Sequence, residues 1–137
     1  MPVTLDKVLE LAAGAARRRG FRSTGIFHLL WAVRELDPET FRSWLEPYRI
    51  EPDPFVKMLE VVLRPRRAGG GLPRDREDAE LMNEALRLAG ALAAQTGCEA
   101  STAHLGPTFA GLKVDPLVEV CERYCLRYRK PQPTSPE

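Results

Sequence analysis

Two stretches of this chain can be laid on one another: VLELAAGAARRRGFRSTGIFHLL at residues 8–30 and ALRLAGALAAQTGCEASTAHLG at residues 85–106. Each reads as a helix with small residues on its buried side, then a glycine (Gly20, Gly97), a short turn, and a His-Leu pair (His28-Leu29, His104-Leu105) opening the next helix. The second turn is one residue shorter. Leu5, Val8, Leu9, Ala12 and Ala16 fall at i, i+3, i+4, i+7 and i+11, and Leu81, Ala85, Leu88, Ala89 and Leu92 restore that spacing. This is the period of a helix buried on one face. Small residues on that face let two helices approach closely. The chain therefore reads as a tandem repeat.

Outward from these stretches the helical reading continues. Eighteen Leu and fifteen Ala against nine Val and two Ile favour straight-chain helix formers over strand formers. Thr4 can cap a helix that runs to about Arg19, and a second runs from about Ile26 to Leu36. Asp37-Pro38, Asp53-Pro54 and Asp115-Pro116 each pair an N-cap acid with a proline suited to the first helical turn, so three more helices open there. The last of these is expected to run to about Arg129. Between Arg64 and Asp78, RPRRAGGGLPRDRED offers no apolar face and reads as a linker. A further helix spans about Thr102 to Leu112. The expected layout is one domain over 1–130, with repeat one at 1–66, linker at 67–77 and repeat two at 78–130. A flexible tail follows at 131–137. Two Asp-Pro starts follow His28 and only one follows His104, so the second repeat is a helix short, giving an all-α bundle of about seven helices.

The 20 basic and 19 acidic residues give a net charge of +1, which excludes a polyanion binder acting through bulk charge. No nucleic-acid partner is expected; the clusters at Arg17–Arg19, Arg64–Arg67 and Arg127–Lys130 complement helix C-termini. No apolar run is long enough for a membrane span, and Asp6 and Glu10 interrupt the N-terminal apolar stretch, unlike a signal peptide. Cys98, Cys121 and Cys125 make an odd set without a disulfide framework, which points to the cytoplasm. Cys121 and Cys125 lie four apart on the expected last helix, read as packing rather than a metal pair. Gly69-Gly70-Gly71 precedes Leu72-Pro73 and so is no phosphate-binding loop. The serines have no nucleophile setting, and the two histidines read as buried or helix-capping groups. No catalytic residue, metal ligand or cofactor is assigned.

The doubled helix–Gly–turn–His-Leu frame resembles the N-terminal domain family of the Clp/Hsp100 chaperones, whose repeat occurs twice in a domain of about this length. The resemblance covers nearly the whole chain, as a solitary double-repeat member. It implies a pseudo-twofold helical bundle that docks substrates and adaptor proteins. The chain departs from the family at the Thr-Glu before the His, having Ile26-Phe27 and Thr102-Ala103 instead. In relatives that read phosphoarginine those glutamates meet the guanidinium, and a Thr near the start of each repeat's first helix helps to hold the phosphoryl group. Pro2 and Ala79 stand at the positions matching that Thr. Weak phosphoarginine binding at best is expected.

The implied function is a non-catalytic protein-binding module, an adaptor or accessory protein of Clp chaperone–protease machinery. Its partner would be a Clp chaperone or peptidase subunit, or a substrate protein. The alternative is a stand-alone regulatory or ligand-binding bundle unconnected to Clp. Because a missing helix should leave its neighbours uncovered, Phe109, Leu112, Leu117 and Tyr124 are the expected partner-binding residues, with a symmetric homodimer as another way to cover them.

Overall fold

The computed structural model describes residues 3–65 and 73–129; Pro2, the first part of the expected linker (67–72) and the expected tail, 131–137, lie outside them. Among the described residues there are seven α-helices and no strand: α1 Leu5–Arg18, α2 Ile26–Leu36, α3 Pro38–Leu45, α4 Pro52–Val62, α5 Pro73–Thr96, α6 Thr102–Leu105 and α7 Pro116–Arg123. Short 3-10 turns follow α3 (Glu46–Tyr48) and α6 (Gly106–Gly111). α2 packs against α1, α3, α4 and α5. Its sequence explains that place: Ile26, Phe27, Leu29, Leu30, Ala32 and Val33 are all buried, and only its last turn, with the Arg34–Glu35 pair, is exposed. One continuous core joins α1 to α4 with Met82, Ala85 and Ala89 of α5 and with Leu105, Phe109, Leu117 and Val120 further on.

The same local devices build residues 16–28 and 93–104. α1 ends with Gly20 at φ 79° and α5 with Gly97 at φ 68°, the left-handed region where a side chain is costly. In each case the next residue's N–H reaches back to the last turn, Phe21 to Ala16 at 2.9 Å and Cys98 to Ala93 at 3.0 Å. The following helices open alike. His28 Nδ1 accepts the Gly25 N–H and His104 Nδ1 accepts the Ser101 N–H, both at 3.1 Å. Each histidine thereby satisfies a donor that the first helical turn leaves unpaired.

Several boundaries differ from those read in the sequence. α4 starts at Pro52, not Pro54, because Pro52 already supplies a first-turn proline, and Asp53 falls inside the first turn. α5 begins at Pro73, five residues inside the expected linker, and Arg76 pairs with Glu80 one turn on at 3.4 Å. The helix expected from Thr102 to Leu112 is α6 followed by a 3-10 turn. Pro107 has no N–H to give, and Gly106 lies so close to Trp44 that a Cβ there would sit 2.6 Å from Nε1. α7 stops at Arg123 because Cys125 takes φ 58°, and Leu126 N–H returns to Cys121 C=O at 2.8 Å. Cys121 is buried and Cys125 exposed, so the two are not neighbours on one helix.

The two halves are tied at Thr102, which has no exposed surface. Its N–H donates to Val3 C=O at 2.9 Å, and its Oγ1 accepts the Val3 N–H at 3.2 Å. The same hydroxyl donates to Asp37 Oδ2 at 2.9 Å. Thr4 and Ser101 form an isolated antiparallel bridge beside it, and Leu5 N–H reaches Ala100 C=O at 3.1 Å. Asp37 also caps α3 through the N–H and hydroxyl of Thr40, at 3.3 and 2.7 Å. Burial pulls the Asp37 carboxyl upward, but the hydrogen bonds from Thr40 and Thr102 outweigh it and hold the carboxyl below its ordinary value.

Thr102→Val keeps the shape and removes the hydroxyl. It should cost about 2 to 3 kcal/mol at neutral pH in urea unfolding, because a buried carboxylate loses a donor. The depressed Asp37 pKa contributes stability above the ordinary carboxylate range, and that stability is lost as pH falls through the depressed value. The gap between wild type and variant should therefore narrow in acid; a gap independent of pH would contradict the role given to Asp37.

Candidate protein-binding cleft

Phe109, Leu112 and Leu117 are 1%, 8% and 0% exposed, so they are core and present no surface to a partner. The second half is not left open. Trp44 of α3 meets Phe109 edge-on, with ring centroids 5.0 Å apart, so the first half covers the second. Only Leu36 and Val114 are large, exposed apolar side chains among the described residues. Tyr124 is different: it is half-buried and lines a cleft that the sequence reading did not single out.

That cleft lies where the N-terminus of α2, the end of α4, the first turns of α5 and the end of α7 converge. One lobe, of about 200 Å³, is bounded by Phe21, Val62, Arg74, Asp78, Arg123 and Tyr124. The second, of about 530 Å³, continues past Phe27 and Arg123 between Glu77, Glu80 and Glu84 of α5 and Lys113, Val114 and Glu119. Phe27, Arg74, Asp78 and Arg123 belong to both lobes. α2 can enter so closely because residue 25 is glycine: a Cβ there would lie 2.7 Å from Asp78 Cβ.

The chemistry of the cleft is a charged rim on an apolar floor. The Arg123 guanidinium lies over the Phe27 ring, 5.6 Å from its centre, and its Nη2 meets Glu119 Oε1 at 2.9 Å. Its Nε is buried and meets no acceptor among the described residues. Burial pushes the Asp78 carboxyl up to about 6, against the pull of Arg123 and Arg74 and with a further push from Asp75 and Glu119. A carboxylate held near neutrality in a concave site is a recurrent mark of a functional position. His28 stands at the inner end with its ring edge-on to Phe21, centroids 4.5 Å apart. Its Nδ1 is already used by the Gly25 N–H, as the capping reading of the sequence expects. Among the described residues, no three His, Cys, Asp or Glu side chains gather into a metal-binding group.

A signal for Asp78 is present in the sequence. The buried stripe of α5 is Met82, Ala85, Ala89 and Ala93, and one turn earlier the same register falls on residue 78. A carboxylate thus occupies a core-facing position, but the dense charge around it reads as linker. Comparison of the chain with protein-family models, with curated proteins and with solved structures finds no match.

Asp78 sets a pH test. Its folded pKa is raised, so its contribution to stability is full below about pH 4 and is lost as pH rises through about 6. Asp78→Asn should stabilise the protein by about 1 kcal/mol at pH 7.5, less than the full shift would give because solvent screens the half-exposed carboxyl. That advantage should vanish near pH 4 in paired urea titrations. An unchanged difference at the two pH values would remove the strained carboxylate from the account.

Proposed function

We propose that this protein is a non-catalytic protein-binding module, an adaptor or accessory protein of Clp-type chaperone–protease machinery, and that the cleft over Phe27 receives its partner. The observation that carries this reading is Asp78: the fold keeps a half-buried carboxylate between two arginines at a cost to its own stability, in a groove with an apolar floor. Binding is the function that such an arrangement serves, because a partner's polar groups can repay the desolvation. The recurrence of the Gly20/Gly97 helix ends and of the His28/His104 caps supports an internal repeat, and with it the Clp N-domain resemblance. The partner is then a Clp chaperone or peptidase subunit, or a substrate protein on its way there.

Phosphoarginine recognition is not part of this proposal. Where the resemblance implies a glutamate, this chain has Phe27, and the ring already carries the Arg123 guanidinium. A second guanidinium brought there gains no charge-assisted hydrogen bond and meets a like charge. The rival reading, a stand-alone regulatory or ligand-binding bundle, is favoured by the size of the larger lobe, which is in the range of small-molecule pockets.

Affinity capture with the purified chain from its native lysate, followed by mass spectrometry, separates the two. The proposal expects Clp ATPase or peptidase subunits with the wild type and about a tenfold loss with Glu77→Lys/Glu80→Lys, a loss of about 1.4 kcal/mol. Both side chains are exposed on the rim, so the fold should tolerate the change. Absence of Clp subunits with the wild type favours the rival. Clp capture that ignores the double variant places the surface elsewhere.

A further inference from the structure

The cleft does not end at its second lobe. Lys113, Val114 and Glu119 also line a neighbouring depression of about 520 Å³, bounded further by Ala110, Asp115, Val118 and Glu122. Val114 thus stands on the ridge between two concavities. It is 37% exposed, one of the two large apolar side chains that the described residues leave in water. Leu81 of α5 is half-buried and lines the same second lobe.

The charge around that ridge is one-sided. Glu77, Asp78, Glu80, Glu84 and Glu119 line the lobe, and Asp115 and Glu122 the depression, while only Arg74, Lys113 and Arg123 among the lining residues oppose these seven carboxylates. The chain as a whole has a net charge of +1, so this surface is acidic by arrangement and not by composition. Some of the acid is paired within the fold: Arg123 meets Glu119 at 2.9 Å, Arg76 meets Glu80 at 3.4 Å, and Arg87 meets Glu84. The last two pairs are exposed to water, where such contacts hold weakly and can be exchanged for others. Glu77 has no ion pair among the described residues. A nucleic acid or an anionic membrane is repelled by this surface. A second copy of the chain, docked symmetrically, would set the same carboxylates against one another. The complement of an apolar ridge between acidic walls is an apolar side chain between cations.

We propose that the Val114 ridge receives a polypeptide segment of the partner in which one apolar residue stands between lysines or arginines, the apolar side chain on Val114 and Leu81 and the cations over the carboxylates on either side. This rests on the binding-module reading above and names the chemistry of its partner. In an extended segment every second side chain faces the same way, about 7 Å apart, so the pattern is basic–x–apolar–x–basic. Lys113, the one cation that lines both concavities, opposes such a segment and limits its affinity.

The test is calorimetric titration of the purified chain, in dilute salt, with the peptide acetyl-KSKSLSKSK-amide. Saturable one-to-one binding is expected, weakening as added salt screens the charges. The same peptide with serine in place of leucine, and the acidic peptide acetyl-ESESLSESE-amide, should each bind about tenfold more weakly or worse. Glu77→Gln/Glu84→Gln should cost about tenfold, while Glu39→Gln/Glu46→Gln, an equal loss of charge at exposed positions on α3 and the turn after it, should cost nothing. Val114→Ser should erase the preference for leucine over serine. Lys113→Gln should tighten binding about threefold, a gain that a damaged fold would not produce. The proposal is overturned if the basic peptide does not bind, if its leucine-free form binds equally, if the α3 variant loses as much as the cleft variant, or if Lys113→Gln weakens binding. No Clp subunit enters the titration, so a lysate capture without Clp leaves its result standing. Clp capture by a chain that ignores the peptide overturns the basic segment and not the module.

Discussion

A single buried threonine hydroxyl ties the two halves of this fold to one another. Thr102 Oγ1 stands between the Val3 amide and the Asp37 carboxylate, so one small side chain fixes the entrance to α1, the α2–α3 corner and the start of α6. None of the three groups can be left without its partner cheaply, because an unpaired polar group in the interior costs more than a made hydrogen bond returns. Neither half can shift independently without breaking this set. The core around it is apolar and continuous across both halves, and supplies the bulk of the stabilisation; the polar tie sets the register in which the halves meet.

With the halves locked, the faces that remain are set by what each helix lacks. Most of α2 is apolar and must be enclosed, with only its last turn left exposed. Gly25 allows α5 to approach the N-terminus of α2, and the residue that α5 presents is Asp78. The outcome is a cleft whose charges are imperfectly paired, at the point where α2, α4, α5 and α7 all end or begin. On another part of the molecule, the missing side chain at Gly106 and the missing N–H at Pro107 turn a helix into a 3-10 turn that packs closely against Trp44.

The architecture was legible in the sequence because it is written locally. The periodic stripes give α1, α2 and α5, glycine after a stripe gives the ends at Gly20 and Gly97, and Asp before Pro gives the starts of α3 and α7. The end of α7 was not legible, since no glycine marks Cys125 and a left-handed cysteine is held by the packing of Leu126 and Tyr128 behind it. Three of the four expected partner residues are buried for a related reason, while Tyr124 lines the cleft. Counting helices suggested an uncovered second half, but Phe109, Leu112 and Leu117 are covered by Trp44 and its neighbours, which lie more than fifty residues away in the chain. Coverage across such separations is a tertiary fact that periodicity does not encode. The cleft was half legible: residue 78 lies in register with the α5 stripe, while the meeting of Arg123 with Phe27 depends on how α7 lands on α2.

The central claim is that Thr102 makes the two halves one cooperative body. Native-state hydrogen exchange reads this directly, by comparing the amides of Leu5 and Thr102, which cross between the halves, with those of Leu29 and Leu30 at the centre of α2. The account predicts that all four exchange only through global unfolding, with the same free energy and the same dependence on denaturant. Crossing amides that open at a markedly lower free energy, while α2 stays protected, would contradict it.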